Sequence, residues 1–403
     1  MPNFNITQHF KLWTLVSFLL FSLTAKGQQP NIIYILTDDL GYGDVSAYNS
    51  KSKIATPWID ALAKEGMRFT DAHSNSSVCT PTRYGILTGQ YAWRTSLKNG
   101  VLWSYDKPLI SPDQLTVAQL LKNKGYQTAC VGKWHLGLDW AKQPNGAIDF
   151  TKPINGGPTQ LGFDYFFGIT ASLDIPPYVY INDNIVTATR IDSIQEQVGQ
   201  GFWRAGPIGN DFKHQDVLDS FVSKSIQYIE KASKQKDPFF LYLALASPHT
   251  PILPSNVQKG KTGTNAYGDF VAMTDEKVGQ ILQYLKDKNL DKNTMIVFTS
   301  DNGCSPSANF KELREKGHDP SGGFRGTKAD IYEGGHRIPF IVKWPGVVKA
   351  NSISSATICL TDFMATCSDI LGMQLQNSVT QDSYSLLPLL TSSKKTNYQR
   401  TST

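Results

Sequence analysis

No stretch of this 403-residue chain is apolar for long enough to be a bilayer-spanning helix, which takes about 20 residues. Cysteine is scarce and scattered: Cys79, Cys130, Cys304, Cys359 and Cys367 form no CxxC pair and no disulfide ladder of a small domain. In an exported chain, an odd number leaves at least one thiol unpaired. Cys130 and Cys359 fall within apolar patterns and read as buried thiols; Cys304 and Cys367 have no evident role. The zinc-peptidase pattern HExxH is absent. Basic tracts are missing too. The longest basic cluster is Lys394-Lys395, and the net charge of +5 falls by two if Lys11 and Lys26 are removed, which argues against a nucleic-acid partner. There is no internal repeat, and the 32 Gly and 21 Pro follow no collagen-like period. What is present, 40% hydrophobic residues over this length, suffices for one large α/β domain or two ordinary ones.

Residues 12–23 are mostly apolar, preceded by Lys11 and followed by Ala25-Lys26-Gly27. A positive flank, a short apolar core and small residues at the exit predict a signal peptide over 1–27, cut after Gly27. The mature protein is then periplasmic or secreted and carries no membrane span. A folded domain is expected over 28–390, with a polar tail over 391–403.

Apolar runs at 31–36, 128–131, 239–246, 295–299 and 339–343 read as strands covered on both faces, because they lack polar alternation. Helical patterns lie between them, at 115–124, through Val217, Phe221, Ile226 and Ile229, and through Val278, Ile281, Leu282 and Leu285. Alternating strands and helices predict an α/β fold: a large mixed, mostly parallel sheet sandwiched by helices. Periodicity fades over 151–211 and 311–328, which read as surface loops. In open α/β sheets, ligands bind beyond the carboxyl ends of the strands. Here those ends lead into Asp38-Asp39, into Lys133 and His135, into His249, and into Asp301-Asn302.

The two acid pairs supply three carboxylates and one amide oxygen, hard ligands suited to Ca²⁺ or, less well, Mg²⁺. Cys79 precedes Pro81, a residue favoured in the first turn of a helix, a position that predicts a lowered thiol pKa and a nearby anion. Trp93, Arg94, Trp203, Arg204, His214, His318, Arg325 and His336 fall in loops or near strand ends where a sugar could dock, with a structural role at least as good an account of each.

The string Cys79-Thr80-Pro81-Thr82-Arg83, followed by Leu87-Thr88-Gly89, resembles the signature of the type I sulfatases, in the alkaline-phosphatase-like superfamily. The resemblance continues in order through Pro30-Asn31-Ile32, Asp38-Asp39-Leu40-Gly41-Tyr42-Gly43-Asp44, Gly132-Lys133-Trp134-His135-Leu136-Gly137, Pro248-His249-Thr250-Pro251, Thr299-Ser300-Asp301-Asn302-Gly303 and Gly326-Thr327-Lys328. It covers about residues 30–390.

This resemblance implies a sulfuric ester hydrolase whose Cys79 is oxidised to formylglycine by a maturation enzyme. It implies that Asp38, Asp39, Asp301, Asn302 and the modified Cys79 hold one Ca²⁺. Arg83 would orient residue 79, while Lys133, His249 and Lys328 would clamp sulfate. His135 would act as a base, and His249 or Lys328 as the acid for the leaving group. Export and the aromatic loops at 151–211 point to a sulfated carbohydrate substrate. The nearly neutral chain suits action on chain ends or oligosaccharides better than capture of a polyanion along a groove. The family's smaller C-terminal subdomain is lacking from this sequence or truncated. Two other readings stay open: a phosphonate monoester or phosphodiester hydrolase of the same superfamily, and a non-catalytic sulfoglycan-binding protein.

Overall fold

The computed structural model describes residues 29–392 and 398–400. The expected leader over 1–27 lies outside them. The first strand, β1 (Asn31–Asp38), alternates between two cores: Ile32, Tyr34 and Leu36 face one, Ile33 and Ile35 the other. An unbroken apolar run is the sequence form of such a strand, because neither face meets water.

The other strands succeed it in chain order: β2 (Met67–Phe69), β3 (Ala72–His73), β4 (Gln127–Lys133), β5 (Tyr165–Ile169), β6 (Ile181–Asn182) and β7 (Ile185–Val186). Then come β8 (Ile191–Ile194), β9 (Gly206–Gly209), β10 (Phe239–Pro248), β11 (Thr294–Ser300), β12 (Phe340–Lys343), β13 (Ser352–Ser354) and β14 (Ile358–Cys359). Ten of them form one sheet in the order β13-β2-β12-β11-β1-β10-β4-β5-β6-β7. Its centre, β11-β1-β10-β4-β5, is parallel throughout. Antiparallel pairs attach β12 and β2 on one side and β6 and β7 on the other.

Helices cover both faces. They are α1 (Pro57–Glu65), α2 (Cys79–Thr88), α3 (Val117–Lys122), α4 (Val217–Ala232), α5 (Ala266–Asp287), α6 (Phe310–Glu315), α7 (Glu333–His336) and α8 (Asp362–Ile370), followed by the short α9 (Asn377–Thr380) and α10 (Leu387–Thr391). Apolar side chains of α2, α3 and α8 enter the first core, and those of α1, α4, α5 and α6 the second. The described tail folds back: the Arg400 guanidinium meets Asp362, with both side chains buried.

Two expectations need correction. Residues 151–211 are not simply surface loops, since β5 joins the parallel centre and Phe163, Phe166 and Phe167 are buried. The strands of this segment run two to five residues each, too short to generate a readable period. The 311–328 segment opens inside α6, which Asn309 caps by accepting from the Glu312 N–H.

Candidate active site

Four parallel strands end on one rim, and the turn after each aims a side chain at the same spot. After β1, Asp39 takes a left-handed conformation at φ 64°, and its N–H donates to Asp301 Oδ1 at 3.2 Å. After β4, His135 does the same at φ 57°. Asp, Asn and His are the side chains that tolerate this region best after glycine. At the end of β4, Gly132 leaves room for β10: a Cβ there would sit 1.9 Å from the Ala244 carbonyl oxygen. Strand β10 delivers His249, β11 delivers Asp301 and Asn302, and α2 begins at Cys79.

These side chains form one buried network. The Cys79 thiol lies 3.5 Å from Asp38 Oδ1 and 3.4 Å from Lys328 Nζ. Lys133 Nζ donates to Asp38 Oδ2 at 2.7 Å, and Lys328 Nζ to Asp39 Oδ1 at 2.8 Å. Arg83, fully buried, donates to Asp301 Oδ2 at 2.7 Å and to the Lys133 carbonyl at 3.0 Å. Asn302 Nδ2 donates to Asp39 Oδ1 at 2.7 Å, and His249 Nε2 stands 3.7 Å from Asp39 Oδ2. Three carboxylates thus face three permanent cations.

That arrangement sets the titration of the groups. Burial opposes ionisation of Asp38, but Lys133, His249, Arg83 and Lys328 together hold its carboxyl well below the usual range. Burial, and then the Asp38 charge, push Asp301 up to about 6. Against burial, Asp38 keeps Lys133 protonated and Asp39 keeps Lys328 protonated. The thiol expectation fails. Burial pushes Cys79 up to about 12, although Lys133 and Lys328 pull the other way. The first turn of α2 is dry, and desolvation of a thiolate outweighs the helix terminus.

The donor set fits a hard cation. Asn302 Oδ1 is buried and has no hydrogen-bond partner, an arrangement that costs free energy unless a cation or water takes it up. Ligand atoms of Asp38, Asp39, Cys79 and His249 lie within 4.8 Å of one another. Oxygen predominance suits Ca²⁺ or Mg²⁺ over zinc.

His135 is held differently. Its Nε2 donates to the Leu102 carbonyl at 2.8 Å, so Nδ1 carries the lone pair; that atom is buried and unpaired. Burial, then Lys133 and Arg83, hold the ring well below its usual pKa, hence neutral. Thr80 Oγ1 donates to the His135 carbonyl at 3.0 Å, tying the residue to the turn that carries Cys79. The ten residues that the family resemblance assigns, Asp38, Asp39, Cys79, Arg83, Lys133, His135, His249, Asp301, Asn302 and Lys328, therefore gather in or beside one network.

Residues 30–373 match the family model described as Sulfatase. The chain belongs to the sulfatase family. It is 35% identical over 395 residues to an N-acetylgalactosamine-6-O-sulfatase of Bacteroides thetaiotaomicron, covering 89% of this chain and 76% of that protein. It is 31% identical over 381 residues to arylsulfatase G of Homo sapiens, covering 88% and 67%. A solved structure concerned with the metabolism of multiple glycosaminoglycans by Bacteroides thetaiotaomicron shares the fold. It gives a TM-score of 0.81 and 34% identity, over 91% of this chain and 82% of that one. The fold is alkaline-phosphatase-like, and the protein is a sulfuric ester hydrolase.

The structure of this sulfatase adds Asp174, which sequence reasoning missed. Its carboxylate is 3.9 Å from His249 Nδ1 and accepts from Arg204 at 2.6 Å. It lies in the stretch without periodicity, where no motif marks it. Among the weaker candidates, Arg204 lies over the half-exposed Trp103 ring at 5.1 Å. His214 stacks on Trp203 at 4.3 Å, and His318 meets the buried Asp44 at 2.8 Å, both structural placements. Arg94 pairs with Asp382 and packs on Trp93, and Arg325 packs on Tyr332. No helix among the described residues is long and apolar enough to cross a membrane.

Proposed function

We propose that this sulfatase is exported and removes sulfate from carbohydrate esters, using residue 79 as formylglycine together with one Ca²⁺. The observation that carries the reading is the convergence of Asp38, Asp39, Asp301 and Asn302 beside Cys79, with the Asn302 carbonyl oxygen buried and unpaired. A thiol at about 12 is protonated at neutral pH and is a poor nucleophile as it stands. Oxidation by a maturation enzyme, which supplies the oxidant, replaces it with an aldehyde. Hydrated, that aldehyde supplies one hydroxyl to attack sulfur and a second whose ionisation expels sulfate. Asp38, Asp39, Asp301, Asn302 and residue 79 would hold the Ca²⁺, whose charge would polarise a sulfate oxygen.

The chain's own groups divide the remaining work. Lys133, Lys328 and His249 bind sulfate oxygens, where negative charge concentrates. Arg83 fixes Asp301 and the β4 terminus, and through them the position of residue 79. His249 or Lys328 protonates the departing sugar oxygen. The free Nδ1 of His135 accepts the proton lost as sulfate leaves. The relative that acts on N-acetylgalactosamine 6-sulfate supports a sulfated amino sugar as substrate. The Trp103 face beside Arg204 and Asp174 offers a surface for the ring.

The test is a desulfation screen of defined sulfated saccharides, with an aryl sulfate and a phosphodiester alongside, on protein whose residue 79 has been assayed by mass spectrometry. The peptide should be about 18 Da lighter than with cysteine, the change this oxidation entails. Sulfate release should scale with that fraction and be fastest on 6-O-sulfated N-acetylhexosamines. Full activity with an intact thiol, or turnover confined to the phosphodiester, overturns the reading.

A further inference from the structure

Outside the Cys79 network, where the chain before Cys79 meets the chain after Lys328, two histidines meet in an arrangement that sulfate ester hydrolysis does not use. His73, on β3, and His336, on α7, bring their Nδ1 atoms within 2.9 Å of each other. Their outer nitrogens both face acceptors: His73 Nε2 faces Asp71 Oδ1 at 3.1 Å, and His336 Nε2 the Ile331 carbonyl at 3.0 Å. A carboxylate and a carbonyl can only accept, so each Nε2 carries its ring's proton. Both inner nitrogens then present lone pairs to each other, a repulsive contact unless a proton or a metal ion lies between them. Burial, reinforced by the Arg337 guanidinium, lowers the basicity of His73 and works against an extra proton there.

We infer that His73, Glu333 and His336 form a second metal site, separate from the cluster around Cys79, that binds Zn²⁺. Ligand atoms of the three residues lie within 4.8 Å of one another. Tetrahedral zinc holds nitrogens at 2.0–2.1 Å, hence roughly 3.3 Å apart, a small opening of the observed pair. The outer N–H groups bonded to a carboxylate and a backbone carbonyl are the support that metal-bound imidazoles ordinarily have. Two imidazole nitrogens and one carboxylate favour zinc over Ca²⁺, which prefers oxygen throughout. Charge permits it. Asp71 and Glu333 face the single cation Arg337, which bonds to both, so a divalent ion meets a local excess of one negative charge. Glu333 and His336 are partly exposed, which leaves a path in and a fourth position for water.

The site also has a place in the architecture. From the end of β3 the chain runs through residues 74–78 to Cys79, and α7 follows the loop that bears Lys328. Ser74 N–H donates to the His336 carbonyl and Ala329 N–H to the Ser77 carbonyl, both at 2.9 Å. A bound ion would fasten these two segments to each other beside the catalytic network.

The experiment titrates Zn²⁺ into the full chain with Ca²⁺ held in excess, by calorimetry and by metal analysis after dialysis. The visible spectrum of the Co²⁺-substituted protein is recorded as well. One equivalent of zinc, a rise in Tm with zinc concentration, and a tetrahedral Co²⁺ spectrum are expected. His336→Ala should weaken binding by about 100-fold or more, since even loss of an outer-shell partner costs 10–100-fold. Its zinc-free melting curve should stay close to that of the parent, which separates lost ligation from lost folding. Cys79→Ala should leave the zinc titration unchanged. Zinc binding that survives His336→Ala, or that disappears in Cys79→Ala, would place the ion in the main cluster and refute the site. So would uptake of no zinc at all, which would leave the pair bridged by a proton.

Discussion

Replacing Arg83 by Met removes a guanidinium that is sealed from solvent while keeping most of its volume. The side chain it abandons most completely is Asp301, whose Oδ2 accepts from Arg83 at 2.7 Å with both side chains inaccessible. Breaking a buried pair from one side costs about 3–5 kcal/mol, because the remaining charge stays desolvated. The Lys133 carbonyl also loses a donor, but the two losses share a cavity and do not simply add. For a folded domain of roughly 360 residues, that range lowers Tm by about 4–7 °C. The pH dependence arises from Asp301. With Arg83 present, burial and the Asp38 charge already raise its carboxyl to about 6, and without Arg83 it rises further. A carboxyl raised in the folded state takes up its proton there first, so acid relieves the defect and alkali exposes it. Urea unfolding in chelator should therefore show about 3–5 kcal/mol of lost stability near pH 7.5, and under about 2 kcal/mol near pH 5. Excess Ca²⁺ should shrink the loss at the higher pH, because the ion supplies the missing positive charge. A loss below about 1 kcal/mol near pH 7.5, typical of an exposed pair, would refute the reasoning. Equal losses at the two pH values would do the same.

His135 should leave a signature in acid. Its folded pKa lies well below the 6.5 it has when unfolded, so the stability it confers is full above pH 6.5 and declines as pH falls below that. His135→Gln should flatten this part of the urea midpoint profile between about pH 6.5 and 5, and an unchanged slope would count against a neutral buried ring. At the start of α1, Asp275 accepts from the Ile59 N–H at 2.8 Å and the Trp58 N–H at 3.2 Å, standing in for the Thr56 side chain, which makes no cap bond. Asp275→Ala should cost about 1–2 kcal/mol in equilibrium unfolding, and a change near zero would mean that α1 needs no such partner.

Much of this protein was legible before folding, because some of its physics is local. Strands covered on both faces have no choice but to be apolar at every position, so β1, β10 and β11 stand out as unbroken runs. A parallel sheet gathers the turns after its strands at one edge, which is how Asp38-Asp39, Lys133, His249 and Asp301-Asn302 could be assigned to a common rim. The Cys79 string pointed to the sulfatases through its resemblance to that family's signature, not through its spacing as such. The short strands of 165–209 were illegible because two to five residues cannot set a period.

The tertiary structure decided which charge meets which, and how dry each one is. Nothing in the chain order says that Lys133 belongs to Asp38, Arg83 to Asp301 and Lys328 to Asp39. Nor does it say that Asp174 stands beside His249, that α1 is capped from 216 residues away, or that His73 faces His336. The Cys79 thiol shows the difference most directly. Its place at the start of a helix is a local property and predicts a low pKa, whereas burial is a property of everything packed around it and drives the pKa to about 12. Desolvation depends on neighbours distant in sequence, so it first exists when the chain has folded.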